Sequence, residues 1–204
     1  MKQQVLFIHG GDSFGTRAGF LEHLRTVPLR EVLEDRPKRF VGTLRAELGE
    51  NFEVYLPSMP NSQNADYEEW SIWFERYLEL LHDNVILIGW SLGGLFLAKY
   101  LTEHKAEVRN KALFLLAAPA PDYVGAGDNN CERFRFASGA LRALREQVDH
   151  IEIWHSADDF VVPVGNAAVY QKHLPRATTR LFVDKNHFLL PELPELVEAV
   201  RNLA

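Results

Sequence analysis

The pentapeptide Gly89-Trp90-Ser91-Leu92-Gly93 restricts the fold of this 204-residue chain more than any other stretch. It follows the apolar run Val85-Ile86-Leu87-Ile88 and leads into the helical pattern Leu95 to Leu101. A serine on so sharp a strand-to-helix turn takes a strained backbone conformation, and Cβ atoms two positions away on either side would collide with it. Gly89 and Gly93 remove that obstacle, and Gly94 lets the helix lie close to the sheet. The turn raises the Ser91 hydroxyl beside a helix N-terminus, where positive partial charge favours a developing anion. The alternative is a plain tight turn; the flanking strand and helix favour a reactive serine.

Elsewhere, short apolar runs alternate with longer amphipathic segments, the pattern of βαβ units and a parallel sheet. Strands are predicted over Gln4–Ile8, Glu53–Leu56, Val85–Gly89, Ala112–Ala117, Ile151–His155 and Thr179–Val183. Most are continuous apolar runs, as expected when helices cover both faces. Helices are predicted over Gly19–Arg25, Val41–Leu48, Tyr67–Leu81, Leu92–Thr102, Ser138–Arg145, Val164–His173 and Glu192–Asn202. Trp70, Trp73, Phe74, Tyr77, Leu78 and Leu81 repeat at helical spacing, and the stripe reads as core packing.

The length suits a single domain over residues 1–204. Two connections exceed a minimal turn: residues 9–52, including the charged stretch Leu29 to Arg39, and residues 118–148, with Pro119, Pro121, Gly125, Gly127 and Asn129-Asn130. Long loops at the C-terminal ends of parallel strands border the ligand crevice. Insertions near 15–40 and 119–147 are therefore candidates for a lid and an acyl pocket, with ordinary surface packing as the alternative.

A formal net charge of −6 argues against a nucleic-acid binder, which usually carries a basic stripe. The single cysteine, Cys131, cannot form an internal disulfide. The N-terminus runs straight into Val5-Leu6-Phe7-Ile8 without a separate signal segment, and no apolar run reaches the roughly 18 to 20 residues of a membrane span. The expectation is a soluble, cytoplasmic protein. Gly10-Gly11 lacks dinucleotide-loop spacing, no Walker-type run exists, and no Cys/His spacing suits zinc, so no cofactor or metal is expected. Cys131 has no elbow around it and is not expected to act as a nucleophile.

A serine hydroxyl needs an oriented base. Downstream, His155-Ser156-Ala157-Asp158-Asp159-Phe160-Val161-Val162-Pro163 puts carboxylates just beyond one predicted strand, and Phe182-Val183-Asp184-Lys185-Asn186-His187-Phe188 puts a histidine just beyond the last. A parallel sheet brings Ser91, an aspartate and His187 to one rim, as a triad requires. Asp158 suits turn capping. Asp159, four residues before Pro163, is the expected acid that holds the His187 tautomer, with Asp158 as the alternative. His23, His82, His104, His150 and His173 read as surface or helix-end residues, and His155 as a strand-end residue with a structural hydrogen bond.

His9-Gly10-Gly11-Asp12 directly follows the first strand. The N–H of Leu92 and an N–H at Gly11 or Asp12 are the expected oxyanion donors, with His9 bracing the loop. Trp90, Phe134 and Phe136 are candidates to line an apolar acyl pocket by position. Arg133, Arg135, Arg142 and Arg145 read as a solvated helix face; the sharper reading is recognition of an acidic substrate or carrier.

With these residues the chain resembles the α/β-hydrolase superfamily over nearly its full length. The short chain, the Ser-x-Asp-Asp-x-x-x-Pro run from Ser156, Met59-Pro60 and the Asp159…His187-Phe188 ending are similar to small serine hydrolases of the YdeN and retinoblastoma-binding-protein-9 type. The elbow Gly-Trp-Ser-Leu-Gly-Gly also resembles that of carboxylesterases that demethylate pimeloyl-carrier-protein esters. The resemblance implies an α/β-hydrolase fold of about six mostly parallel strands with helices on both faces, Ser91, Asp159 and His187 as triad, and no cofactor. Many relatives carry His where this chain has Trp90, and the 20–39 stretch is longer, so substrate preference does not carry over. The expected activity is hydrolysis of a small-molecule carboxylic ester or thioester through an acyl-Ser91 intermediate. The alternative is a binding protein that uses the fold without efficient turnover.

Overall fold

A computed structural model describes residues 1–28, 39–105, 108–125 and 127–204. Its centre is one all-parallel six-stranded sheet, β1 (Gln3–Ile8), β2 (Phe52–Tyr55), β3 (Val85–Trp90), β4 (Asn110–Leu116), β5 (Val148–Ser156) and β6 (Thr178–Phe182), in the order β2-β1-β3-β4-β5-β6. Around it lie α1 (Arg17–Thr26), α2 (Phe40–Leu48), α3 (Tyr67–Leu78), α4 (Leu92–Glu103), α5 (Leu144–Gln147), α6 (Gly165–His173) and α7 (Pro194–Leu203).

Alternation along the strands divides the core. Leu6, Ile8, Val85 and Leu87 pack with Trp70 and Phe74 of α3 and Leu95 and Phe96 of α4. Val5, Phe7, Ile86 and Ile88 pack on the other face with Phe40 and Leu44 of α2 and Leu196 and Val200 of α7. Burial on both faces explains why β1 and β3 read as unbroken apolar runs. The chain runs outward from β1 to β2 and returns on the other side of β1 as β3. That reversal is the switch point at which open α/β sheets form their ligand crevice, and His9 and Ser91 stand on its two banks.

Three expectations need correction. The predicted helix Ser138–Arg145 is a 3₁₀ segment over Ser138–Ala143 followed by the single turn of α5. Strand β5 begins at Val148, earlier than predicted, because charged residues masked its start. Further along the strand, Glu152 is buried and satisfied by His150 Nε2 (3.0 Å), Trp154 Nε1 (2.6 Å) and Arg180 Nε (3.0 Å). Of the aromatic stripe on α3, Trp70 and Phe74 are core, whereas Trp73 is 41% exposed.

Of the two long connections, residues 29–38 lie outside the described residues. The 118–147 segment is fastened to the loop after β1: Phe14 bridges Asn129 antiparallel, Gly15 N–H donates to the Asp128 carbonyl (2.9 Å) and Cys131 N–H to the Ser13 carbonyl (3.2 Å). The Asn129 side chain adds bonds from Ser13 N–H (3.0 Å) and to Asp12 Oδ1 (2.7 Å). Phe134, Leu141 and Leu144 anchor the segment in the core.

Candidate active site

Strand β3 ends at Trp90, and the chain turns into α4 through Ser91 at φ 54° and ψ −125°, a strained conformation for a residue with a side chain. The turn is held by Ser91 N–H donating to the Leu116 carbonyl (2.8 Å) and by Gly94 and Leu95 N–H groups donating to the Ser91 carbonyl (2.9 and 3.3 Å). A Cβ on Gly93 would run into the Ile8 carbonyl oxygen, and one on Gly89 would lie 2.5 Å from Gly94 Cα. The sharpness of the turn therefore demands both glycines.

The loop after β1 lies against this serine. A Cβ on Gly10 would fall 3.0 Å from Ser91 Cβ, so only glycine leaves the hydroxyl uncrowded. Met59 N–H donates to His9 Nε2 (2.8 Å), which places the imidazole proton on Nδ1, where it meets the Gly10 carbonyl at 2.6 Å. His9 thus braces the loop. Asp12 does not fit the anion-binding role expected for its N–H, which donates to the Ser62 carbonyl at 2.9 Å. Gly11 remains the candidate on this bank. Facing it, the Leu92 N–H lies in the first turn of α4, where a helix leaves its amides without intrahelical acceptors.

The acid and histidine come from the loops after β5 and β6. His187 Nδ1 donates to Asp159 Oδ2 at 2.8 Å, and both side chains are almost fully withdrawn from solvent. Asp159 Oδ1 accepts the N–H groups of Val161 and Val162, both at 2.8 Å. His155, buried at the end of β5, donates Nε2–H to the Val162 carbonyl (2.8 Å) and lies 3.4 Å from Asp159 Oδ2. Burial alone would raise the Asp159 pKa; the bonds from His155, His187 and Val162 N–H outweigh it and hold the carboxyl well below the usual carboxylate range. The folded protein thus favours the Asp159 anion, whose Oδ2 takes its shortest side-chain bond from His187.

Asp158 has a different task. Its Oδ1 accepts Ser156 Oγ (2.5 Å) and Asn186 N–H (2.9 Å), while Ser156 Oγ accepts Lys185 N–H (3.0 Å). These bonds tie the acid loop to the histidine loop. Sequence reasoning passed over Ser156, and His155 makes the structural hydrogen bond expected of it while also lying beside Asp159. The signal was present, since both lie in the run that ends at Pro163, but a polar residue at a strand end does not reveal what it faces.

The structure separates the remaining candidates. Phe134 does not line a pocket: it is fully buried among Tyr67, Trp70 and Phe96, with ring centroids 5.3–6.4 Å away. Phe136 is half-buried, with Lys99 Nζ 5.8 Å from its ring centre. Trp90 turns toward the histidine loop, its Nε1–H donating to the His187 carbonyl at 2.9 Å. Arg133 pairs with Asp66 (3.2 Å), Arg135 lies 3.9 Å from Glu132, and Arg145 donates to the His173 carbonyl (2.9 Å), so these three cations are engaged locally. Ser91 Oγ and His187 are not hydrogen-bonded to each other in this structure; such contacts commonly tighten only with substrate present. Among the described residues no group of three or more His, Cys, Asp or Glu side chains is arranged to hold a metal ion, and no helix is long and apolar enough to cross a membrane.

A parallel α/β sheet with a strained serine at its switch point, and an Asp–His pair on loops of the same rim, defines the class of α/β-hydrolase folds. The chain belongs to the alpha/beta hydrolase family, whose model matches residues 5–200. No curated protein matches the sequence significantly. Among solved structures it is similar to the ydeN gene product of B. subtilis, at 18% identity over 99% of this chain and 98% of that one, with a TM-score of 0.74. It is also similar to a meta-cleavage product hydrolase from Pseudomonas fluorescens IP01 (15% identity, 98% and 90% covered, TM-score 0.62). A third is the esterase RhEst1 from Rhodococcus sp. ECU1013 (17% identity, 98% and 90% covered, TM-score 0.58). At these identities the likeness establishes the fold.

Proposed function

We propose that the protein is a serine hydrolase that cleaves a small-molecule carboxylic ester or thioester through an acyl-Ser91 intermediate. The observation that carries this reading is the 2.8 Å bond from His187 Nδ1 to a buried Asp159 carboxylate, on the same sheet rim as a serine at φ 54°. In the forward step His187 Nε2 takes the Ser91 proton as Oγ attacks the acyl carbon, and the resulting oxyanion accepts N–H bonds from Leu92 and Gly11. His187 then gives that proton to the leaving oxygen or sulfur. Water repeats the sequence, releasing the acid and restoring the serine. Asp159 keeps the Nδ1–H tautomer and stabilises the imidazolium without taking a proton.

The test is a fluorophosphonate probe combined with p-nitrophenyl esters of graded chain length. Wild type is expected to label at Ser91 and turn over, and Ser91→Ala to lose labelling and roughly 10⁶-fold in kcat. Ester hydrolysis that survives in Ser91→Ala would defeat the mechanism. An unlabelled, inactive wild type would instead establish the binding-protein alternative.

A further inference from the structure

The histidine loop is held in an unfavourable shape. Asn186 and Phe188, on either side of His187, both have positive φ, 41° and 53°. For a residue as bulky as phenylalanine this region is a true outlier, and such strain persists only where the surroundings impose it. Several contacts impose it at neighbouring positions: Lys185 N–H on Ser156 Oγ, Asn186 N–H on Asp158, and Arg39 Nη1 and Phe40 N–H on the carbonyls of Leu189 and Leu190 (2.9 and 2.8 Å). At His187 itself the backbone contact comes from Trp90, whose Nε1–H donates to the His187 carbonyl at 2.9 Å. The indole ring is also tilted against the imidazole, with centroids 5.7 Å apart, and rests edge-on to Phe40 at 6.5 Å.

Trp90 is covalently joined to Ser91. The side chain that fixes the His187 backbone and the residue bearing the nucleophile are therefore consecutive positions of one strand end. The alternation of β3 puts Trp90 on the α2/α7 face, with Ile86 and Ile88, so its ring points into that layer. We infer that Trp90 is a positioning residue, an indole strut that sets the distance between Ser91 and the His187 imidazole. The inference rests on the serine-hydrolase reading above and replaces the acyl-pocket role expected for Trp90 from its position in the sequence.

Trp90→Phe keeps an aromatic ring on the Phe40 and His187 side and removes the N–H donor together with part of the indole. With p-nitrophenyl acetate, butyrate and octanoate, kcat is expected to fall about tenfold or more by the same factor for each ester, with KM nearly unchanged, because the error lies in the geometry of proton transfer. The decisive readout is the double-mutant cycle with His187→Ala: a residue that acts through the imidazole loses its effect when the imidazole is absent. Trp90→Phe should therefore change residual p-nitrophenyl acetate hydrolysis less than twofold in the His187→Ala background. An equal loss in both backgrounds, or a loss graded with acyl length, would overturn the strut and return Trp90 to a packing or pocket role. Unchanged turnover in Trp90→Phe, with wild type labelling at Ser91, would also overturn it while leaving the hydrolase reading intact. A wild type that neither labels nor turns over would remove the reading on which the strut rests.

Discussion

The two halves of the sheet rim are held in different ways. On the β5–β6 side, the acid and histidine loops are fixed by side chains bonded to backbone: Asp159 on Val161 and Val162, Asp158 on Asn186, Ser156 on Lys185. On the β1–β4 side, the loop after β1 and the 118–147 segment are joined by backbone ladders and by burial of aromatic rings such as Phe134. The first half needs particular residue types at particular positions, because only certain polar groups can make those bonds. The second half combines steric demands at Gly10, Gly89 and Gly93 with burial of apolar area, which several arrangements of the same aromatics would supply. The Asp159–His187 pair rests on the first kind of constraint, whereas the 118–147 segment rests largely on burial.

The sharpest test of that contrast compares the two adjacent aspartates. Asp159→Asn removes the anion that orients His187 and is expected to lower kcat about 10⁴-fold with the fold intact. Asp158→Asn weakens the tie between two loops and should cost far less. Measuring kcat for both variants, with far-ultraviolet circular dichroism as the control for folding, decides between them. A larger loss in Asp158→Asn would reverse the assignment of roles on the more strongly specified side.

The other half should respond in stability instead of specificity. Phe134→Ala empties a fully enclosed site between α3 and α4 and is expected to destabilise the protein by about 3–5 kcal/mol in urea unfolding. Its preference among acyl lengths should remain that of wild type. A shifted preference with little loss of stability would mean that this aromatic reaches the substrate after all.

What could be foreseen follows the same division. The elbow was legible because Gly89 and Gly93 answer a steric demand that no other residue meets, and the collisions at both positions show how tight that demand is. The strands β1 and β3 were legible because burial on both faces leaves the continuous apolar runs Val5–Ile8 and Val85–Ile88. Asp12 misled because a free N–H and one already bonded to the Ser62 carbonyl have the same sequence. Trp73 misled because helical period marks a face but not its width, and this side chain stands at the edge of the buried stripe. Asp149 and His150 hid the start of β5, since the partner that His150 finds in Glu152 lies beside it only after the sheet has formed. The role of His155 beside Asp159 was invisible for the same reason.

A polar joint within the β1–β4 side should give an intermediate effect. The Asn129 side chain accepts the N–H of the buried Ser13 and donates to Asp12, and so links the 118–147 segment to the loop that carries Gly11. Asn129→Ala leaves that N–H without its partner, at a cost of about 1–3 kcal/mol. If the joint also steadies the proposed oxyanion donors, kcat should fall along with the unfolding midpoint. An unchanged kcat at reduced stability would show that the loop after β1 does not depend on its neighbour for that role.

The smallest effect concerns the pH dependence of the stability that the acid side supplies. The Asp159 carboxyl is held below its ordinary value of 3.8 in the folded protein, so the folded state favours its anion. For a depressed carboxylate the stabilisation is complete above the unfolded value and is lost as pH falls from there toward the folded one. From this group, the difference in unfolding free energy between wild type and Asp159→Asn should be flat from about pH 8 to about pH 5 and shrink only below about pH 4. Urea midpoints at matched ionic strength measure it directly. A difference already shrinking between pH 8 and pH 5 would mean that the stability of this half of the rim is governed by its histidines and not by the carboxylate they surround.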